Sequence, residues 1–338
     1  MSSLGAPIHD VPAARVAAVV YNPVKVDLAV VKAVIAAEEK AGGWGPTLWF
    51  ETSGDDPGQG PAKEALAAGA DLVIAAGGDG TVRAVAEVLY GSGASLALLP
   101  SGTANLLARN LGLTLDGPKH AIHTAFTGHD RDIDLALIDI ERDDQSTTRH
   151  AYLVMAGLGL DAKMLVGTDD KLKAKVGWLA YVGGLLTAMR DKEQLRMRYS
   201  LDGKEARSAR VHTIIIGNCG SLPADIVLLP DAAIDDGMFE LVLLRPKGLF
   251  GWLQITIKVL WENGVLRRTE AGRKLGGPGK AVRALHYVKG RKLAIRLTQS
   301  HDIELDGDSF GTVRALTTWI EPGALTVRVA VDDQTSEE

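Results

Sequence analysis

From Val16 to about Asp132 the chain alternates short apolar runs with segments whose apolar residues recur at helical spacing. Val16–Tyr21 reads as a buried strand, Leu28–Lys40 as a helix, Thr47–Thr52 as a strand and Pro61–Gly69 as a helix. Asp71–Ala75 then runs into the loop Ala76-Gly77-Gly78-Asp79-Gly80-Thr81, behind which Val82, Val85, Ala86, Val88 and Leu89 fall on one helical face. Leu96–Leu99 repeats the plan. It leads into Pro100-Ser101-Gly102-Thr103-Ala104-Asn105, and Leu106, Leu107, Asn110 and Leu111 follow in helical phase. Such alternation predicts a parallel, doubly wound α/β sheet with ligands at the carboxyl ends of its strands.

After Asp132 the texture changes. Ile133–Ile140, Ala151–Ala156, Leu195–Ser200, Arg210–Gly217, Gly237–Leu244, Lys292–Gln299, Ile303–Leu305 and Leu325–Val331 read as strands with few helices between them. A second, mainly antiparallel β domain is expected, with the hinge near Arg131-Asp132. The polar stretch Arg142–Arg149 reads as a hairpin loop without chemistry, and the acidic tail Asp332–Glu338 as disordered.

Composition narrows the class. A chain of 338 residues exceeds what one core usually serves, and 46% hydrophobic with 23% charged residues describe a globular protein. The single cysteine, Cys219, excludes an internal disulfide and suits a reducing, cytoplasmic setting as a small buried hydrophobe. Asp10 and Pro12 interrupt any apolar N-terminal stretch, so no signal peptide is read there. The uncharged run Val176–Met189 is shorter than the roughly twenty residues that cross a bilayer. It reads as a core helix or one lying against lipid.

Each glycine loop ends a strand and opens a helix. Glycines there let the backbone approach an anion, and the helix N-terminus behind them presents unpaired N–H groups and a positive dipole end. One such loop is equally a tight turn, but two in successive units, each with Gly-Thr, point to nucleotide phosphates. Neither matches the Gly-Lys-Ser/Thr phosphate loop or the Gly-x-Gly-x-x-Gly dinucleotide pattern. A kinase-like site of another design is the reading. Backbone N–H groups around Gly77, Gly78, Gly80 and Thr81 would hold phosphates, with donation from the Thr81 and Thr103 hydroxyls and a second cradle at Gly102. Asp79 would bind Mg²⁺ through water or orient an attacking hydroxyl, or else cap its own helix; Asn105 has the same capping alternative.

Gly77-Gly78-Asp79-Gly80-Thr81, Pro100-Ser101-Gly102-Thr103-Ala104-Asn105-Leu106-Leu107-Ala108-Arg109, Leu229-Pro230-Asp231-Ala232-Ala233-Ile234-Asp235-Asp236-Gly237 and Asp306-Gly307-Asp308 arrive in this order, after Tyr21-Asn22-Pro23. Together they resemble the diacylglycerol kinase catalytic family, which includes sphingosine and ceramide kinases and bacterial soluble lipid kinases. The resemblance implies a phosphofructokinase/NAD-kinase-like α/β domain over residues 1–131. A β-rich domain would span 132–309, and the chain would return to the first domain from about Phe310. It implies ATP and Mg²⁺ as cofactors and a lipid hydroxyl as acceptor. Asn22 and Thr52 become nucleotide contacts, Asp308 the base, Asp306 its support, and Asp134 part of the polar network. Asp236, with the carbonyls of Ala233 and Met238, becomes a structural magnesium site.

Three departures stand out. Asp308 takes the place of the family's usual Glu, Arg83 stands where an Asn-Glu pair is common and is expected to meet phosphate, and Leu106 replaces an Asp. An NAD or other small-alcohol kinase is the alternative enzyme, and a non-catalytic nucleotide- or lipid-binding regulator the alternative of another class. Net charge is −5, so no global attraction to anionic lipid is expected. Ten basic residues from Arg267 to Arg296, with Glu270 as acidic company, could still dock beside Trp252, Leu253, Ile255, Ile257, Leu260 and Trp261 on the inner membrane surface. A solvated face is the alternative. No nucleic-acid motif accompanies the charge, and a homodimer remains open.

Overall fold

The computed structural model describes residues 14–115, 117–159, 194–222, 226–245 and 285–331. The first part comprises β1 (Ala17–Tyr21), α1 (Leu28–Gly42), β2 (Leu48–Glu51), α2 (Gln59–Ala67), β3 (Leu72–Gly77), α3 (Asp79–Leu89), β4 (Ser95–Pro100), α4 (Leu106–Asn110) and α5 (Pro118–Thr127). The strands pair in parallel in the order β2-β1-β3-β4. Every residue of β1 and β3 is buried because helices cover both faces. Ala18 and Val20 share one core with Ala62 and Ala65 of α2 and Val85 of α3. Ala17 and Val19 share another with Val31 and Ile35 of α1 and Ile122 of α5. Strand order reverses between β1 and β3, the position at which open α/β sheets leave a crevice for ligands.

The second part is β5 (His129–Glu141), β6 (Thr147–Tyr152), β7 (Met155–Leu158), β8 (Leu195–Leu201), β9 (Arg207–Val211), β10 (Thr213–Gly217), β11 (Ser221–Leu222), β12 (Ile226–Val227), β13 (Phe239–Leu244), β14 (Leu285–Gly290), β15 (Lys292–Leu305) and β16 (Asp308–Val329). Its pairings are antiparallel, as expected, around a core that includes Ile138, Tyr152, Phe239 and Leu316. The 22-residue β16 starts beside β15 and finishes beside β4, pairing Val327 with Leu96 in parallel. Arg131 and Asp132 lie inside β5, opposite Val327 and Thr326, so two continuous strands carry the chain between the halves.

Five strands differ from their expected bounds. Ala151–Ala156 is broken at Leu153-Val154, Arg210–Gly217 is two strands meeting at His212, 292–299 with 303–305 form one irregular strand, and Leu325–Val331 is the end of a strand that begins at Asp308. At His212 the chain changes neighbours, since β9 pairs with β8 while β10 lies between β7 and β13. The first break has an electrostatic cause. Asp306 and Gly307, at φ 51° and 89°, form a two-residue hairpin between Leu305 and Asp308, a conformation suited to Asp-Gly. The Asp306 carboxylate accepts the N–H groups of Leu153 at 2.9 Å, Val154 at 2.8 Å and Met155 at 3.0 Å. Amides committed to that side chain are lost to a strand ladder.

The 176–189 run, the apolar segment 252–261, the basic residues from 267 to 283 and the tail 332–338 lie outside the described residues. Among the described residues no helix is long and apolar enough to cross a membrane.

Burial pushes the Asp306 carboxyl up to about 6, against the three amides that favour its charged form. The native state therefore holds this proton more tightly than the unfolded chain, and the group's contribution to stability falls as pH rises from about 4 to about 6. Asp306→Asn cannot ionise. Urea unfolding should find it more destabilising, relative to wild type, at pH 4.5 than at pH 7.5, by about 2 kcal/mol; an equal difference at both pH values would contradict the assignment.

Candidate active site

The two glycine loops touch backbone to backbone. A Cβ on Gly102 would stand 2.7 Å from the Gly78 Cα, and one on Gly77 would stand 2.6 Å from the Thr81 side chain tucked beneath it. Ser101 N–H donates to the Gly77 carbonyl at 3.0 Å, continuing the β3–β4 pairing into the loops. Asp79 braces them further. Its carboxylate accepts the Asn105 N–H at 3.0 Å and the Leu106 N–H at 2.5 Å, so it holds the second loop rather than capping its own helix. Burial raises the Asp79 pKa, the Leu106 and Asn105 amides oppose that rise, and the nearby Asp308 adds to it. Asn105, at φ 47°, does not cap either; its Oδ1 accepts the Gly102 N–H at 3.0 Å and its amide donates to the Gly102 carbonyl at 2.9 Å.

Asn22, Thr52 and Gly77 lie at the carboxyl ends of β1, β2 and β3. Asn22 N–H donates to the Ala76 carbonyl at 2.9 Å, while its Oδ1 accepts the Val24 N–H at 3.0 Å. Thr52 is buried and its N–H bonds the Tyr21 carbonyl at 2.9 Å; Thr103 is exposed. The Asn22 turn delivers a residue that sequence reasoning missed. The Lys25 ammonium overhangs the first loop, 2.8 Å from where a Gly78 Cβ would stand. A lysine three places after the strand-ending asparagine was the available signal.

The Asp-Gly hairpin of the β domain reaches this rim. Asp308 Oδ2 lies 2.5 Å from where a Gly80 Cβ would stand, so a side chain at position 80 would displace it. The same oxygen accepts from Arg83 Nη2 at 3.2 Å; Arg83 is 4% exposed and Asp308 51%. Arg83 stacks over the Phe310 ring at 4.4 Å, and His150 meets that ring edge-on at 4.8 Å. Arg83 is therefore directed at the carboxylate of Asp308, the departure from the expected phosphate contact. Among the described residues its Nε and Nη1 have no hydrogen-bond partner. The two aspartates of the turn separate: Asp308 faces the cleft, while Asp306 is buried beneath and fixes the hairpin.

The third motif is organised by Asp134. This buried carboxylate accepts the Gly237 N–H at 2.6 Å and the Gly323 N–H at 2.9 Å, and its backbone N–H donates to the Ile234 carbonyl at 2.8 Å. Asp236 Oδ1 accepts the Met238 N–H at 3.0 Å, and its Oδ2 accepts the Lys289 ammonium at 2.7 Å. Ala233 and Met238 flank it, yet among the described residues no three metal-binding side chains converge. An ammonium thus stands where the resemblance implies magnesium, and the carboxylate as placed does not fit a metal shell. Cys219 is buried, donating to the Leu153 carbonyl at 3.4 Å, and burial raises its pKa.

Comparison with known proteins covers both halves of the chain. A model described as the diacylglycerol kinase catalytic domain matches residues 17–138, and one described as the YegS C-terminal NAD kinase beta sandwich-like domain matches residues 152–329. A Pseudomonas aeruginosa protein named "Probable lipid kinase YegS-like" is 32% identical over 305 residues, covering 88% of this chain and 89% of its own. The diacylglycerol kinase of Bacillus subtilis is 25% identical over 254 residues, 74% of this chain and 75% of that one. A crystal structure of a diacylglycerol kinase from Bacillus anthracis shares the fold at 21% identity and a TM-score of 0.65, covering 93% of this chain and 96% of that one. With both halves matched and such identity along most of its length, the chain belongs to the diacylglycerol kinase catalytic-domain family of lipid kinases, alongside the YegS-like proteins.

Proposed function

We propose that this protein is an ATP- and Mg²⁺-dependent kinase transferring the γ-phosphate to the hydroxyl of diacylglycerol or a related lipid, at the inner face of a membrane. The observation carrying this reading is the half-exposed Asp308 carboxylate poised over Gly80 of the first phosphate loop. Phosphoryl transfer needs positioning, neutralised charge and one base. The amides of Gly77, Gly78, Gly80 and Thr81 hold the phosphates, the contact between Gly78 and Gly102 fixes the cradle, and Lys25 supplies the cation above it. Magnesium arriving with the nucleotide would neutralise phosphate oxygens. Asp308 takes the proton as the lipid oxygen attacks phosphorus, and the bridging P–O bond breaks with its electron pair leaving on ADP. Arg83 orients Asp308 through Oδ2, which leaves Oδ1 for the substrate. The NAD kinase alternative has weaker support, since a yeast NADH kinase structure matches at 8% identity and a TM-score of 0.50.

Labelled γ-phosphate should pass to a lipid among diacylglycerol, monoacylglycerol, ceramide and sphingosine in mixed micelles; label on NAD instead, or on no acceptor, would overturn the reading. Asp308→Asn should lower kcat by about 10²–10⁴-fold while ATP affinity changes little. Gly102→Ala forces a Cβ against the Gly78 backbone, and calorimetry should show ATP binding about tenfold weaker. Lys25→Ala should weaken ATP binding by about tenfold with kcat nearly kept, an effect that shrinks in added salt.

A further inference from the structure

One face of the β domain concentrates five arginines, of which one, Arg296, is paired with a carboxylate. Arg196 on β8 is directly opposite Arg210 on β9, and Arg198 on β8 is directly opposite Arg296 on β15. All four are exposed. Like charges directly opposed on a sheet are destabilising, and nothing in the packing of this face calls for them. Arg296 has a carboxylate, Glu141, at 3.1 Å through both terminal nitrogens. Among the described residues Arg196, Arg198, Arg210 and Arg314 have no acidic partner. These five arginines line a groove of ≈ 600 Å³ with no acidic residue among the described residues of its walls. A neighbouring groove shares Arg296, Thr298 and Arg314 with it and extends past Glu141 and Asp143 to Arg142, whose guanidinium bonds the Thr312 carbonyl on the strand that begins at Asp308.

We propose that this arginine face docks the protein on an anionic phospholipid bilayer. The inference rests on the lipid-kinase reading in one respect, that the acceptor lies in a membrane. A chain of net charge −5 is repelled by such a surface overall, so attraction must come from a local positive face. The shape favours a surface over one small anion: the face spans β9, β8 and β15 and is open, with no buried donor aimed inward. It also disfavours nucleic acid, because no aromatic platform for bases lies between the arginines. The continuity with the Asp308 strand places docking and chemistry on one strand system.

The test is co-sedimentation of the full chain with vesicles of phosphatidylcholine containing phosphatidylglycerol, and with pure phosphatidylcholine vesicles. The variant Arg196→Gln/Arg198→Gln/Arg210→Gln is compared with Lys40→Gln/Lys63→Gln/Lys119→Gln, which makes the same charge change on α1, α2 and α5. The arginine variant should bind anionic vesicles about 100-fold more weakly, from about fivefold per residue, while the lysine variant stays within about twofold of wild type. Its melting temperature should not fall, because repulsion is removed. Phosphate transfer to diacylglycerol in nonionic micelles should persist. Equal losses in the two variants, unchanged binding in the arginine variant, or duplex DNA bound more tightly than vesicles through the same arginines would overturn the proposal. Arginine-dependent vesicle binding without lipid phosphorylation in any wild-type assay would uphold docking and refute the kinase reading.

Discussion

One buried carboxylate determines whether this cleft exists. Asp306 takes the amides of Leu153, Val154 and Met155, and its own N–H reaches back to the Met155 carbonyl at 2.9 Å. Those bonds fasten the β15–β16 hairpin to the turn between β6 and β7. With the hairpin fastened, Asp308 projects toward the first glycine loop. The cost is a buried acid whose charge is disfavoured by desolvation, offset in part by three donors in a row. A hydrophobic residue would avoid that cost but leave three N–H groups without acceptors, which is dearer.

The α/β side is built by the complementary device of removing side chains. Gly102 approaches Gly78 so closely that a Cβ on Gly102 would stand 2.7 Å from the Gly78 Cα. Asp79 then ties the start of α4 to the start of α3. An anion site flanked by Asp79 and Asp308 would be self-defeating if both carboxylates were free. Asp79 is occupied by amides and Asp308 by Arg83, so among the described residues the Lys25 ammonium stands over the loop as an unengaged charge. The electrostatic balance of the cleft is therefore set by side-chain partners and not by the count of charges around it.

Much of this was legible in the chain. The parallel alternation, both loops and the antiparallel second half followed from periodicity, because a doubly covered sheet demands continuous apolar strands such as 72–76. The misread segments share a physical reason. Ala151–Ala156 has the apolar pattern of a strand, and what interrupts it is a carboxylate some 150 residues away in sequence. Local pattern carries no trace of such a partner. Capping is the alternative the chain offers for Asp79 and Asn105 because capping is local, whereas the Asp79 carboxylate bonds the second loop and the Asn105 amide bonds Gly102 within its own loop. Lys25 was invisible for the opposite reason: an exposed lysine in a turn has no distinctive pattern until Gly78 is found beneath it.

The departures from the family's motifs are instructive when taken as pairs in space. Arg83 in α3 and Asp308 in the hairpin are 225 residues apart, and each alone suggests a weakened site. In the fold they are bonded at 3.2 Å, with Arg83 buried against Phe310. Residues in contact do not contribute independently, so the two changes cannot be scored one by one. An acidic residue at position 83 would face Asp308 with like charge, and the guanidinium instead gives the shorter carboxylate a fixed partner. The same logic governs Asp236 and Lys289. A motif position keeps its meaning only together with the residue that folding brings against it.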